Sequence, residues 1–199
     1  MTLASEGFFI SCMLSFLECL PEIEDISLSN FAFSPGLNRI GEGSFRKLKR
    51  LTLDPFLPQY SGEVMTVGAL AALPMLQYLK VHGGCHWSGC EGMVLEDLVV
   101  DCLFDSMMLL APGQYPKARN SFTLRARTVS CQAGMQCAHL VIMAGEVYDM
   151  HLLLGTPGLQ TFTVPATAVN LRQLGFCLPS GMTMRMVDID ERRCVRVQM

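Results

Sequence analysis

The chain has few charged residues, few aromatic residues and no long apolar run. Charged residues make up 17% of its 199 residues and aromatic residues 8%, whereas half of the chain is hydrophobic. This balance excludes a disordered chain, and the formal net charge of −3 argues against a general nucleic-acid binder. The apolar run over residues 7–17 is shorter than the roughly 18–20 residues that a bilayer span needs. We therefore predict a single domain over residues 1–199 without nucleic-acid or membrane partners.

The cysteines have no pattern typical of a disulfide framework. There are nine of them, an odd count, and they are spread along the whole chain. Glu6 is the only charged residue before the first apolar run, so that run lacks the basic segment of a secretory signal. We expect the cysteines to be thiols that serve as small core residues, and hence an intracellular protein of the cytoplasm or nucleus.

One short phrase recurs along the chain: an apolar residue, two variable residues, an apolar residue, one variable residue and an apolar residue. Its clearest form is Leu76-Gln-Tyr-Leu79-Lys-Val81. A weaker copy has Arg127 at the middle apolar position, which leaves its register open. The copies span residues 23–28, 48–53, 76–81, 95–100, 124–129, 137–142, 159–164, 171–176 and 184–189.

The phrase predicts a short strand that repeats in a solenoid. Its last two apolar positions alternate, so they point to one face of a strand, while the first lies where the chain enters the strand. One such strand cannot bury its apolar edge alone, but stacked parallel copies can. The first four copies start at residues 23, 48, 76 and 95, close to the spacing of about 20–29 residues in leucine-rich repeats.

The phrases at 76–81 and 95–100 resemble the LxxLxL core of leucine-rich repeats. Cys102 and Cys131 lie one position before the place where that family has its Asn or Cys. The irregular spacing resembles that of F-box-type leucine-rich repeat proteins, although we identify no F-box. The resemblance implies an α/β solenoid of short parallel strands with helical or loop returns. It also implies recognition of substrates for a ubiquitin ligase, a role that without an F-box would require a truncated gene product or a separate adaptor.

The segments between the phrases are expected to form the returns of this solenoid, that is, the segments that lead from the end of one stacked strand to the start of the next. Residues 11–20 and 62–73 have helical spacing and end before a proline, and residues 106–111 and 150–154 suggest short helical turns. Residues 30–44 are rich in glycine and suggest a loop. The late phrases lie only 12 or 13 residues apart, too close for a strand and a helix, so we expect an irregular C-terminal half.

The segment 82–90 carries the densest set of chemical groups. It contains His82, Cys85, His86 and Cys90, a nitrogen and sulfur set that zinc prefers, yet its spacing matches no known zinc finger. A Cys–His pair could also be assembled from Cys85, Cys90 or Cys177 with His139 or His151, although no sequence pattern orders them. We therefore predict no catalytic residue, metal or cofactor, and keep a metal-binding or thiol-dependent enzyme as the alternative.

The leading hypothesis is a non-enzymatic module that binds a protein through the variable face of the stacked strands. The variable positions form columns that mix charge, hydroxyl and aromatic groups. An exposed tyrosine supplies a large contact area at low entropic cost, so Tyr78 is the best single anchor. The predicted partner-binding residues are Arg50, Tyr78, Lys80, His82, Asp97 and Asp101. A chain fragment without an independent role is a third possibility, and the oligomeric state is left open.

Overall fold

A computed structural model of the chain describes most of its residues. The described residues are 2–4, 17, 19–20, 22–31, 45–55, 65–82, 85–102, 108–110, 113–132, 134–154, 156–168 and 180–199. They fall into two compact units. The first comprises Met1–Glu96 with Gln114–Pro116, and the second comprises Asp97–Gly113 with Lys117–Met199. The single domain over residues 1–199 stays a prediction.

Strands dominate both units. The strands are β1 (Thr2–Ala4), β2 (Asp25–Phe31), β3 (Arg50–Pro55), β4 (Met65–Thr66), β5 (Tyr78–His82), β6 (Cys85–His86), β7 (Val94–Cys102), β8 (Met108–Leu110), β9 (Lys117–Cys131), β10 (His139–Tyr148), β11 (Thr161–Pro165), β12 (Thr183–Ile189) and β13 (Arg192–Gln198). Two 3-10 helices, Val67–Ala72 and Met150–Leu153, are the only ones of more than one residue among the described parts of the chain.

The first unit stacks parallel strands in the order β1, β2, β3, β5. Leu51 of β3 is the register partner of Ile26 in β2 and of Leu79 in β5. The last apolar positions of the same three phrases pair in the same way. The strands therefore pair copy to copy, as the repeat phrase predicts.

The apolar positions of the phrase form the buried side of these strands. Leu48, Leu51 and Leu53 are fully buried. The corresponding residues of the other early copies are at most 6% exposed, except for Ile23, which is half-buried. The predicted core residues, all confirmed as buried, are Ile26, Leu28, Leu51, Leu53, Leu79, Val81, Leu98 and Val100. Alternation with period two thus identified the core side of each strand.

The second position of the phrase supplies a backbone carbonyl that joins consecutive copies. The carbonyl of Glu24 accepts hydrogen bonds from the N–H groups of Lys49 (2.8 Å) and Arg50 (3.0 Å). The Lys49 carbonyl in turn accepts from Gln77 (2.9 Å) and Tyr78 (3.0 Å). Each copy thereby satisfies the backbone donors with which the next strand begins, a requirement that every buried turn must meet.

In the second unit, β9 and β10 pair in parallel, and their register corrects one repeat copy. Leu140 of β10 is paired with Phe122, and Ile142 with Leu124. Leu124 is thus the last apolar position of its copy rather than the first. The register aligns residues 119–124, instead of 124–129, with the copy at 137–142, and the exposed Arg119 replaces the first apolar residue of the phrase. Copies then start at 95, 119 and 137, which removes the short interval of 13 residues.

The long strand β9 changes its buried side part-way along. Leu124 and Ala126 are buried, and the next buried residue is Val129, three positions on. The exposed Arg127 lies between them, which explains why it cannot occupy the middle apolar position of a phrase. Beside it on β10, a side chain at Gly145 would lie 3.3 Å from the Arg127 carbonyl oxygen, so the two backbones approach closely at this bend.

The last two strands depart from the repeat. β13 pairs with β11 in antiparallel direction, and β12 pairs antiparallel with β13. Met184 is the first apolar residue of the copy at 184–189, yet its strand forms a hairpin outside the parallel stack and its side chain is 40% exposed. The phrase at 171–176 lies outside the described residues.

The returns contain much less helix than expected, so the fold is mostly β rather than α/β. Where a helix was expected over 62–73, the described residues from 65 onward form a two-residue strand, β4, followed by the 3-10 helix Val67–Ala72. A side chain at Gly68 would lie 2.4 Å from the Ser88 carbonyl oxygen, so this return packs its backbone directly on a neighbouring loop. Where a turn was expected over 106–111, the described residues 108–110 form strand β8, which pairs with β9.

One further return prediction has a clear outcome. The turn expected over 150–154 is confirmed as a 3-10 helix. The helix expected over 11–20 and the loop over 30–44 lie largely outside the described residues.

Candidate functional site

The first variable column of the first unit holds an aromatic and charged cluster. Asp25, Arg50 and Tyr78 are register partners on β2, β3 and β5. The Arg50 guanidinium carbon lies 4.1 Å from the centre of the Tyr78 ring, and Arg50 Nε lies 3.7 Å from Asp25 Oδ2. Arg50 and Asp25 keep more than half of their side-chain surface exposed. This Asp25–Arg50–Tyr78 cluster is therefore a preformed cation–π stack at the surface.

The second variable column runs beside this cluster. Ser27, Thr52 and Lys80 are register partners, and all three are half-buried. His82 is the last residue of β5, and its side chain lies outside what the structure describes. The structure thus brings Arg50, Tyr78 and Lys80 together on one face, as predicted.

Asp97 and Asp101 belong to the second unit, where each is held by a neighbouring strand. Asp97 Oδ1 accepts hydrogen bonds from Asn120 Nδ2 (2.9 Å) and Ser121 Oγ (2.6 Å). Asp101 is only 5% exposed and lies 3.6 Å from the Arg125 guanidinium. The sequence predicted an accessible Asp101, but its position under Arg125 leaves little carboxylate for a partner to contact.

The basic run over residues 46–50 pairs with acidic residues one copy earlier. Lys47 Nζ lies 2.5 Å from Glu22, and Lys49 Nζ lies 2.8 Å from Glu24. The hydrogen bond to Glu22 and its negative charge raise the pKa of Lys47. These ion pairs partly neutralise the basic run. The run is therefore better described as a solvent-exposed segment that leads into β3 around the buried Leu48 than as a phosphate-binding patch.

The loop before β7 is organised around a buried thiol. Cys90 is fully buried, and its Sγ donates a hydrogen bond to the Trp87 carbonyl oxygen at 2.7 Å. Trp87 packs edge-to-face on Tyr115 with ring centres 5.0 Å apart. Burial, assisted by the charge of Glu91, raises the pKa of Cys90. A raised pKa disfavours the thiolate, the form that nucleophilic and metal-ligating cysteines need.

The other candidate ligands do not converge with Cys90 in the described part of the chain. His86 is exposed, and His139 Nδ1 lies 3.0 Å from Thr161 Oγ1. The described residues contain no group of three or more His, Cys, Asp or Glu side chains placed to hold a metal ion. Cys177 lies outside the described residues.

The described cysteines form no disulfide among themselves. Cys102 and Cys131 are buried at the ends of β7 and β9, as expected for cysteines that serve as small core residues. Burial raises the pKa of Cys131 to about 12, with a smaller effect from Asp149, and raises that of Cys137 to about 12. These side chains therefore behave as small apolar core residues.

Sequence reasoning missed a cavity of about 590 Å³ in the second unit. Polar and basic side chains line it, among them His139, Thr161, Thr163, Arg185, Arg196 and Gln198. His139 and Thr161 occupy variable positions of the repeat, so the period-two pattern could have placed those two on the outer face. The two arginines come from the antiparallel hairpin, which the repeat pattern did not reveal.

The comparisons with known proteins assign no family. Neither the scan against protein-family models nor the search of curated proteins finds a match to this chain. No helix in the described parts of the chain combines the length and the apolar character needed to cross a bilayer.

Proposed function

We propose that the protein is a non-enzymatic interaction module that binds a partner protein through the variable face of its first unit. The observation that carries the proposal is the stack of Arg50 on Tyr78 at 4.1 Å. Tyrosine and arginine are the side chains most often found at the centre of protein interfaces. Their mutual contact, with Asp25 beside Arg50, holds both in position before binding and so lowers the entropy lost on association.

Lys80 and Thr52 extend this surface along the same strands. The face therefore offers an aromatic centre between an acidic residue, Asp25, and a basic residue, Lys80. A partner segment that carries both signs of charge complements this arrangement, and such complementarity favours one register of binding. Asp97 and Asp101 are left out of the proposed surface because hydrogen bonds and burial already engage them.

Two finer proposals rest on the sequence. The likeness of its repeat phrase to F-box-type leucine-rich repeats suggests that the partner is a substrate of a ubiquitin ligase. The buried thiols suggest an intracellular protein of the cytoplasm or nucleus, where cysteines stay reduced.

The test compares partners recovered from cells with the native chain and with the double variant Arg50→Ala, Tyr78→Ala. Loss of hot-spot residues costs about 2 kcal/mol or more, so the partners should bind about thirtyfold or more weakly. The control variant Tyr148→Ala, Arg192→Ala removes one exposed residue of each type from the second unit and should keep every partner. Circular dichroism must show that both variants are folded. A folded Arg50, Tyr78 variant that retains every partner would refute the proposal.

A further inference from the structure

The cavity in the second unit is built on four adjacent strands. Val141 of β10, Thr163 of β11, Arg196 of β13 and Arg185 of β12 are successive register partners. His139, Thr161 and Gln198 form the neighbouring row. Both rows line the cavity, so its wall consists of ordered strands.

Two arginines lie side by side on the wall of this cavity. Arg185 and Arg196 are direct partners in the antiparallel hairpin, where opposed side chains lie about 5 Å apart at Cβ. Like charges in such positions repel each other. None of the described residues that line the cavity is acidic, and no ion pair joins either arginine to a carboxylate in the described part of the chain.

Hydrogen bonds hold Arg196 and His139 in place. Arg196 Nε donates to Thr163 Oγ1 at 3.2 Å, and Thr163 is itself only 1% exposed. On the neighbouring row, the 3.0 Å contact of His139 Nδ1 with Thr161 Oγ1 fixes the imidazole ring. The cavity therefore presents two guanidinium groups and an imidazole with no acidic side chain on its wall, and Met199, the last residue, also lines it.

We propose that this cavity binds the phosphate group of a small phosphate ester. A phosphate monoester carries a charge of about −1.5 to −2 at neutral pH, which matches two guanidinium groups better than a single carboxylate does. Arginine forks also match the oxygen geometry of phosphate. The cavity is of the size that accepts small organic ligands, so it leaves room for more than the phosphate. Gln160 and Gln198 line that space and can form hydrogen bonds with hydroxyl groups on the rest of the ligand.

The test measures binding by calorimetry at constant ionic strength with inorganic phosphate, ribose 5-phosphate and ribose as probes. We expect both phosphates to bind, ribose 5-phosphate more tightly, and ribose not to bind. Arg185→Gln and Arg196→Gln should each weaken phosphate binding on the order of ten- to hundredfold, the loss expected for hydrogen bonds to a charged group. Arg185→Lys, which keeps the charge and loses the fork, should retain part of the affinity.

Arg192→Gln is the matched control, because it removes the same charge from an exposed position of β13 that does not line the cavity. It should leave the affinity unchanged. A second readout uses phosphate-free buffer, where Arg185→Gln should raise the melting temperature by about 1–3 °C because it relieves the repulsion from Arg196. Absence of phosphate binding, or an equal loss of affinity in Arg192→Gln, would overturn the proposal.

Discussion

Truncation of Leu51 and Leu79 tests the repeat register most directly. Both leucines are fully buried and are register partners on β3 and β5. Burial of a leucine side chain contributes about 1.5–3 kcal/mol, and the cavity left by truncation adds to the loss. Each substitution to alanine should therefore lower the free energy of unfolding by about 2–5 kcal/mol. For a chain of this size, that corresponds to a fall in melting temperature of about 4–20 °C.

The single tryptophan provides a local assay for this prediction. Trp87 lies in the first unit with both leucines and packs on Tyr115 of the same unit. Its fluorescence during urea unfolding therefore reports the unit in which the substitutions are made. Leu20→Ala is the control, since Leu20 belongs to the same unit but is 37% exposed, and its truncation should change stability by no more than about 0.5 kcal/mol.

The double variant adds a test of contact. Adjacent strands lie about 4.8 Å apart, so Leu51 and Leu79 touch, and each single truncation already removes their mutual packing. The double variant should therefore lose less stability than the sum of the two single losses. If Leu51→Ala costs no more than Leu20→Ala, or if the two losses are strictly additive, the pairing of copies through these anchors is wrong.

Three further predictions concern the loops and the thiols. Gly68→Ala should cost about 1–3 kcal/mol because the new methyl group would meet the carbonyl of Ser88, whereas Gly92→Ala, which meets nothing within 4 Å, should be nearly neutral in the same urea titration. Glu191→Gly should raise the free energy of unfolding by about 0.5–1 kcal/mol. Glu191 has a φ of 63° in the hairpin turn, and glycine adopts this conformation without strain. An unchanged melting temperature would contradict this prediction. Cys131, which is buried with its pKa raised to about 12, should react with a maleimide at pH 8 only after denaturant is added. The exposed Cys19 should react in the native protein. Rapid labelling of Cys131 in the native protein, located by analysis of the labelled peptides, would contradict burial of this strand end.

Some features of the candidate sites could be predicted from residue spacing alone. Alternation placed Arg50, Tyr78 and Lys80 on the outer face of their strands, and the register of β2, β3 and β5 then brought them side by side. The same alternation could not reveal that Asp101 is covered. Its neighbour Arg125 is distant in sequence and reaches it only because of the packing of the second unit.

The sequence by itself determined the buried side of the early repeat strands and, through the spacing of their copies, the parallel stacking of those strands. Period-two alternation records which side chains leave water, and apolar burial is the dominant favourable term in folding, so this information is local and strong. It does not record which strand becomes a neighbour or in which direction that neighbour runs. Only the tertiary structure decided that the last two strands form an antiparallel hairpin, whose turn at Asp190 and Glu191 uses positive φ angles without the usual glycine. That hairpin places Arg185 and Arg196 in direct register. Their pairing could not be predicted from the sequence, because the partner of a strand is set by the long-range packing of the whole unit rather than by its own residues.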